Sequence, residues 1–73
     1  MICIKLSDGE IIKVDNKTDN GVIKEIIEEE LFGIKPHYEI GNIISEIIHL
    51  ELGKQYVLYQ DDKLLLEIEN LPS

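Results

Sequence analysis

The chain has 73 residues and a formal net charge of -8, and 44% of its residues are hydrophobic. This length predicts one domain over residues 1–73, with little room for a deep catalytic cleft. The negative charge disfavours direct contact with nucleic acid or an anionic membrane, because both would repel it, and leaves a protein partner with a basic surface possible.

The opening stretch, "MICIKLSDGEIIKVD", predicts a β-hairpin. A three-residue loop at residues 7–9, ending in a left-handed glycine, pairs Ile4 with Ile12 and Ile2 with Val14. This register gathers the aliphatic side chains of both strands on one face, as a sheet covered on one side requires. The opposite face then carries Cys3, Lys5, Ile11 and Lys13.

Residues 22–31, "VIKEIIEEEL", predict an amphipathic helix. Aliphatic side chains recur at helical spacing, and most of the charged side chains take the opposite arc. Asp19 or Asn20 is placed to cap the first turn with its side chain, and Gly33 lies where a helix commonly ends.

Residues 43–52, "IISEIIHLEL", repeat the first helical stretch, with six of ten positions identical. A second helix is favoured, capped by Asn42 and stopped by Gly53. The alternation of apolar and polar residues from Ile48 onward also fits a strand, so both interpretations stay open. The preceding residues 37–40, "HYEI", are interpreted as a short edge strand.

The stretch "KQYVLYQDDKLLLEIEN" predicts a second hairpin around residues 61–62. A two-residue and a three-residue loop fit nearly equally well, so the register stays open. The two-residue loop places these side chains on the core face: Val57, Tyr59, Leu64, Leu66 and Ile68.

The other face of the sheet is expected to keep apolar side chains that one layer of helices cannot cover. Apolar patches of several hundred Å² usually mark a contact surface, so we expect self-association or partner binding there. The residues predicted for this surface are Ile11, Tyr56, Leu58 and Leu65.

No residue pattern predicts catalysis or cofactor binding. His37, His49 and Cys3 lack metal-ligand spacing, and the lone cysteine fits a reducing cytoplasm. Residues 16–27 approach a calcium loop but place Ile27 where the bidentate carboxylate is required. We therefore expect a cytoplasmic, non-enzymatic protein with neither metal nor cofactor.

The acidic run of the first helix allows two interpretations. In the ordinary one it is a solvated helix face. In the sharper one it is a binding surface for a basic partner, as in small acidic inhibitors that imitate nucleic acid and block a nucleic-acid-binding or defence protein. The residues concerned are Glu25, Glu28, Glu29 and Glu30.

The strings "IKLSDGEIIKVD" and "VIKEIIEEELFG" resemble the opening of the adaptor subunit that joins cullin ubiquitin ligases to substrate receptors, a member of the BTB/POZ fold family. In that family a hairpin, a helix, a short edge strand and a second helix follow in this order. The resemblance covers about residues 4–33 and extends loosely to residue 52, and the opening is also similar to ubiquitin-like domains. It implies a non-enzymatic adaptor that docks another protein, and it assigns no individual binding residues.

Together these patterns predict an α+β fold in which two β-hairpins form an antiparallel sheet and one or two amphipathic helices pack on one face. The favoured function is a protein-interaction or adaptor module, expected to form a homo-oligomer through the apolar sheet face. The alternative is an acidic inhibitor that uses the first helix. The predicted core comprises Ile2, Ile4, Leu6, Ile12, Val14, Ile23, Ile26, Ile27, Leu31, Ile47, Ile48, Leu64 and Leu66.

Overall fold

The computed structural model describes residues 1–15, 17 and 19–72 and confirms the α+β class. The strands form one antiparallel sheet in the order β2-β1-β4-β3. Both helices contribute to a single core on one face of that sheet. The elements in chain order are β1 (Ile2–Leu6), β2 (Ile11–Val14), α1 (Asn20–Leu31), α2 (His37–Ile48), β3 (Gln55–Gln60) and β4 (Lys63–Asn70).

The first hairpin has the predicted register. Ile2 pairs with Val14 and Ile4 with Ile12, and the Leu6 N–H donates to the Glu10 carbonyl at 2.9 Å. The glycine that ends the loop has φ +91°, a conformation that costs glycine little because it lacks Cβ. The requirement that the aliphatic side chains share one face of the sheet therefore predicted this register correctly.

Helix α1 begins near the predicted residue, but the predicted side-chain cap is absent. Asp19 occupies the N-cap position, and its backbone carbonyl accepts from the Val22 N–H at 3.1 Å. The helix ends at Leu31, where a turn follows with Gly33 at φ +78°. This turn is closed by a bond of 3.0 Å from the Ile34 N–H to the Leu31 carbonyl.

Helix α2 begins six residues earlier than predicted, since it starts at His37. The "HYEI" segment is therefore its first turn and not an edge strand, and Asn42 lies inside the helix instead of capping it. Pro36 provides the N-cap position, where a ring that fixes φ suits a helix start. The apolar stripe of the helix begins at Ile40, the last residue of the predicted edge strand, which is buried in the core.

The second decapeptide is helical only in its first part. Helix α2 stops at Ile48, where His49 takes the C-cap position. The alternation that suggested a strand belongs to the connection that follows, in which Leu50 packs against the core and Leu52 is 63% exposed. Gly53, with φ +81°, shapes the turn into β3 and does not end the helix.

The last hairpin has the two-residue loop, because Gln60 pairs with Lys63 and both Asp61 and Asp62 have positive φ. Its register then shifts, so that Leu58 pairs with Leu66. A hairpin with the same two-residue loop but without a bulge, as the sequence predicts, would pair Val57 with Leu66. The inserted bulge residue, Leu65, accounts for the difference.

That shift exchanges the two faces of β3. A one-residue slip moves every side chain of a strand to the other side of the sheet. Tyr56, Leu58 and Leu65 therefore pack against the core, and their predicted placement on the uncovered face is wrong. Val57 and Tyr59, which were predicted to face the core, are 38% and 62% exposed.

The core is aliphatic, as predicted, and lies between the two central strands and the helices. Ile4, Leu66 and Ile68 of these strands have no exposed surface. Leu64 of the predicted core lies outside this cluster, and α2 supplies three members that the predicted core lacked. The buried residues of the observed core are Ile2, Ile4, Leu6, Val14, Ile23, Ile27, Leu31, Ile40, Ile43, Ile44, Ile47, Leu66 and Ile68.

Asn70 is the buried polar residue at the end of β4. Its side-chain Nδ2 donates to the Leu50 carbonyl at 2.8 Å and so ties the connection after α2 to the sheet. The following residue, Leu71, exchanges hydrogen bonds of 2.8 and 2.9 Å with Met1. The chain is thus anchored to the sheet as far as residue 71.

We expect Asn70→Ala to lower the free energy of unfolding by about 1–3 kcal/mol, because the Leu50 carbonyl would lose its donor. Chemical denaturation measures this change. Asn42→Ala, at an exposed position of α2, is the matched control and should change stability little. Equal effects of the two substitutions would contradict the structural role of Asn70.

Candidate interaction surfaces

The fold separates charge between its two layers. The helices α1 and α2 carry six glutamates and one lysine, whereas the four strands carry three lysines and two glutamates. The strands themselves are thus nearly neutral, although their hairpin turns add Asp8, Glu10, Asp61 and Asp62, and the helices are strongly negative. Such a charge distribution would attract a basic molecule to the helical face more than to the strands.

A groove runs between α1 and α2. One half has a volume of about 270 Å³ and is lined by Glu28, Phe32, His37, Ile40, Gly41 and Ile44. The other half, of about 380 Å³, shares Gly41 and Ile44 and extends to Lys24 and His49. The two depressions meet at Gly41 and Ile44 of α2.

Gly41 keeps the middle of this groove open. A Cβ atom built on it meets no heavy atom within 4 Å, so the space above the helix backbone is unfilled. Glycine within a helix costs about 0.5–1 kcal/mol relative to alanine. The groove is therefore maintained at some cost in helix stability.

Exposed aromatic side chains lie where α1 connects to α2. Phe32 and Tyr38 are each 75% exposed, and Ile34 between them is 42% exposed. Phe32, which lines the groove, follows directly after α1. Sequence analysis did not select these residues, although aromatic residues around a Gly and Pro turn in a mainly aliphatic chain were a usable signal.

The four predicted acidic residues do not form one uniform surface. Glu25, Glu28 and Glu29 are exposed, and Glu28 lines the groove. Glu30 is half-buried, and its Oε1 accepts from the Ser7 hydroxyl at 3.2 Å, which connects α1 to the first hairpin. Three of the four carboxylates are thus exposed to solvent.

The uncovered sheet face is a mixture of apolar and charged residues. Ile11 is 56% exposed there, as predicted, and stands beside Lys5 in the ladder. Lys5 in turn stands beside Glu67, which accepts from the Gln55 side chain at 2.7 Å. This face is therefore less apolar than expected, because Tyr56, Leu58 and Leu65 point to the other side.

Within the described residues, the ionisable side chains do not cluster into a metal site. Residues 1–15, 17 and 19–72 contain no group of three or more His, Cys, Asp or Glu that could hold a metal ion. His49 Nδ1 lies 2.8 Å from the Ser45 carbonyl, which accepts from it when the proton is on Nδ1, and Cys3 is half-buried. Asn16 and Thr18 of the calcium-like loop lie outside the described residues, and Ile27, at its last position, is fully buried.

Tyr56 is the titratable side chain whose environment is clearly perturbed. Burial raises the pKa of its phenol above the ordinary value of 10.0, and the negative charges of Glu46 and Glu39 on α2 raise it further. A raised pKa means that the folded protein favours the neutral phenol. Its contribution to stability is complete below pH 10 and is lost as pH rises through the folded-state pKa.

We expect the free energy of unfolding to fall above about pH 10, and Tyr56→Phe to make this fall less steep, because phenylalanine has no proton to lose. Denaturation curves measured at several alkaline pH values test this. Tyr59→Phe, at an exposed position, is the matched control and should follow the unchanged protein. Identical profiles for all three proteins would contradict the role given to Tyr56.

We expect Gly41→Ala to raise the free energy of unfolding by about 0.5–1 kcal/mol, since the helix gains propensity and the new methyl group meets no neighbour. Gly33→Ala is the control, because its φ of +78° strains any residue with a Cβ, and it should destabilise the protein. Chemical denaturation measures both. A loss of stability in Gly41→Ala would show that the groove is already filled.

No helix in residues 1–15, 17 and 19–72 has the length and apolar character needed to span a membrane. Comparison with known proteins found no matching family model, no matching curated protein and no matching solved structure.

Proposed function

We propose that this protein is a non-enzymatic interaction module that docks another protein onto its helical face, formed by α1, α2 and the residues 32–36 that connect them. The observation that carries the proposal is the open groove between the helices, lined by exposed Phe32, with exposed Tyr38 in the first turn of α2. Exposed aromatic side chains beside a concave apolar surface are typical of the residues that dominate binding energy in interfaces.

The chemistry of the groove indicates a partner segment that is both apolar and basic. Its floor contains Ile40 and Ile44, which suit apolar side chains, and Glu28 lies on its wall. Glu25 and Glu29 on the same helix add negative charge beyond the groove. A segment with apolar anchors and flanking lysine or arginine side chains would satisfy both features. The adaptor role implied by the BTB/POZ-like opening is compatible with such docking and is part of this proposal.

A second candidate function is acidic inhibition of a nucleic-acid-binding or defence protein. It is favoured by the concentration of glutamates on the helical layer, beside strands that are nearly neutral. A rigid negative surface can occupy the basic channel of another protein in place of phosphates, with association accelerated by the electric field. This function uses the same face but relies on charge instead of on Phe32 and Tyr38.

To test the proposal, the partner is captured from the native cell lysate on the immobilised protein, identified, and purified for titration. We expect the double substitution Phe32→Ala and Tyr38→Ala to weaken binding by at least tenfold, because truncation of an aromatic anchor commonly costs about 2 kcal/mol or more. Ile11→Ser, on the opposite sheet face and outside β3, is the control and should bind normally. Loss of binding only in the control would move the site to the sheet.

Salt dependence separates the two candidate functions. Raising salt from about 50 to 200 mM should weaken apolar docking only modestly, but should reduce the affinity of an acidic mimic by a factor of about 1,000 if many charges take part. Reversal of charge at Glu25, Glu28 and Glu29 should then abolish binding, and nucleic acid should compete with the protein for the partner. Binding that resists salt and tolerates this reversal would exclude the acidic inhibitor.

A further inference from the structure

Strand β3 forms one edge of the sheet and lacks the charges and prolines that commonly protect an edge. Its sequence, "QYVLYQ", has six residues without a charge or a proline. The opposite edge, β2, has four residues and carries Lys13. Natural sheets commonly block edge pairing with charged residues, prolines or short strands. The β3 edge is therefore open to another strand.

The hydrogen bonds at the start of β3 define which backbone groups face outward. The Asn70 N–H donates to the Lys54 carbonyl at 3.0 Å, so the Lys54 carbonyl faces β4. Along an antiparallel strand, the backbone N–H and C=O groups of successive residues point alternately to one side of the strand and to the other. The N–H and C=O groups of Gln55, Val57 and Tyr59 consequently point away from β4. Within the described part of the chain, no backbone bond outside the sheet ladder involves these three residues.

This edge is suited to pairing with a second copy of itself. A twofold axis through Val57 places Val57 opposite the second copy's Val57, and Gln55 opposite the second copy's Tyr59. Both residues of each pair then lie on the same face of the sheet, as an antiparallel ladder requires. Each pair exchanges two backbone bonds, so the junction forms about six.

The charges that flank β3 are complementary in the same arrangement. Lys54 precedes the strand, and Asp61 and Asp62 follow it. Antiparallel pairing brings the Lys54 of each copy next to the acidic turn of the other, so two sets of opposite charges approach each other. The strand itself adds no charge to the junction, which limits the repulsion expected between two acidic chains.

We infer that two copies of the chain associate by pairing their β3 strands into one continuous sheet, with the helices of both copies on the same face. This association involves the sheet edge instead of the sheet face, and it does not depend on docking at the helical groove. Val57 lies at its centre, where the side chain is 38% exposed in one copy.

Sedimentation equilibrium at increasing concentration tests the association. We expect the apparent mass to rise from 8.4 kDa toward twice that value. Val57→Lys should hold the protein at the monomer mass, because it would place two ammonium groups next to each other at the twofold axis. Within each monomer, Glu67 lies beside position 57 and stabilises the new lysine. Ile11→Lys on β2, the other edge, is the matched control and should associate as the unchanged protein does. Circular dichroism checks that both variants are folded.

Crosslinking tests the register independently. In a Cys3→Ser background, Val57→Cys should form a disulfide-linked dimer on mild oxidation, because residues opposite each other in a hydrogen-bonded pair have Cα atoms about 5.5 Å apart. Leu58→Cys, which points to the core, should remain uncrosslinked. An unchanged protein that stays monomeric at every concentration would overturn the inference. So would loss of association in Ile11→Lys but not in Val57→Lys.

Discussion

The pairing of β1 with β4 is the interaction on which the rest of the structure depends. It joins the first and last strands of the chain at the centre of the sheet, from Ile2 opposite Asn70 to Leu6 opposite Leu66. Each hairpin alone is a two-stranded unit with little independent stability. Only after β1 and β4 pair does a surface exist that is broad enough to receive two helices. The exchange of bonds between Met1 and Leu71 extends this central ladder by one pair.

Packing of α1 and α2 on that surface determines where partners can approach. The aliphatic stripes of both helices pack into the core, and the residues left outside include most of the glutamates, Gly41, and the aromatic side chains of Phe32 and Tyr38. The same packing creates a groove, since Gly41 fills no space between the helices. Function is therefore expected on the helical layer, and the nearly neutral strands leave one sheet edge without charges or prolines.

The two proposed contacts concern different parts of the molecule. The groove and its aromatic rim lie on α1, α2 and their connection, whereas the self-association edge is formed by Gln55, Val57 and Tyr59. Because β3 is a terminal strand of the sheet, pairing it with a second copy leaves both grooves on the same side of the joined sheet. A dimer would thus present two docking sites to one partner, which raises apparent affinity if both can be occupied together.

The sequence by itself determined the α+β class, the first hairpin with its left-handed glycine, helix α1 and an aliphatic core, because each of these follows from local periodicity or turn chemistry. Tertiary structure decided the start of α2 at His37, since Ile40 becomes a core residue only when a sheet lies beneath it. It also decided the faces of β3, because the bulge at Leu65 moves Tyr56 and Leu58 inward without any local signal. The groove and the β3 edge depend on which elements become neighbours, and that information resides in contacts between distant residues.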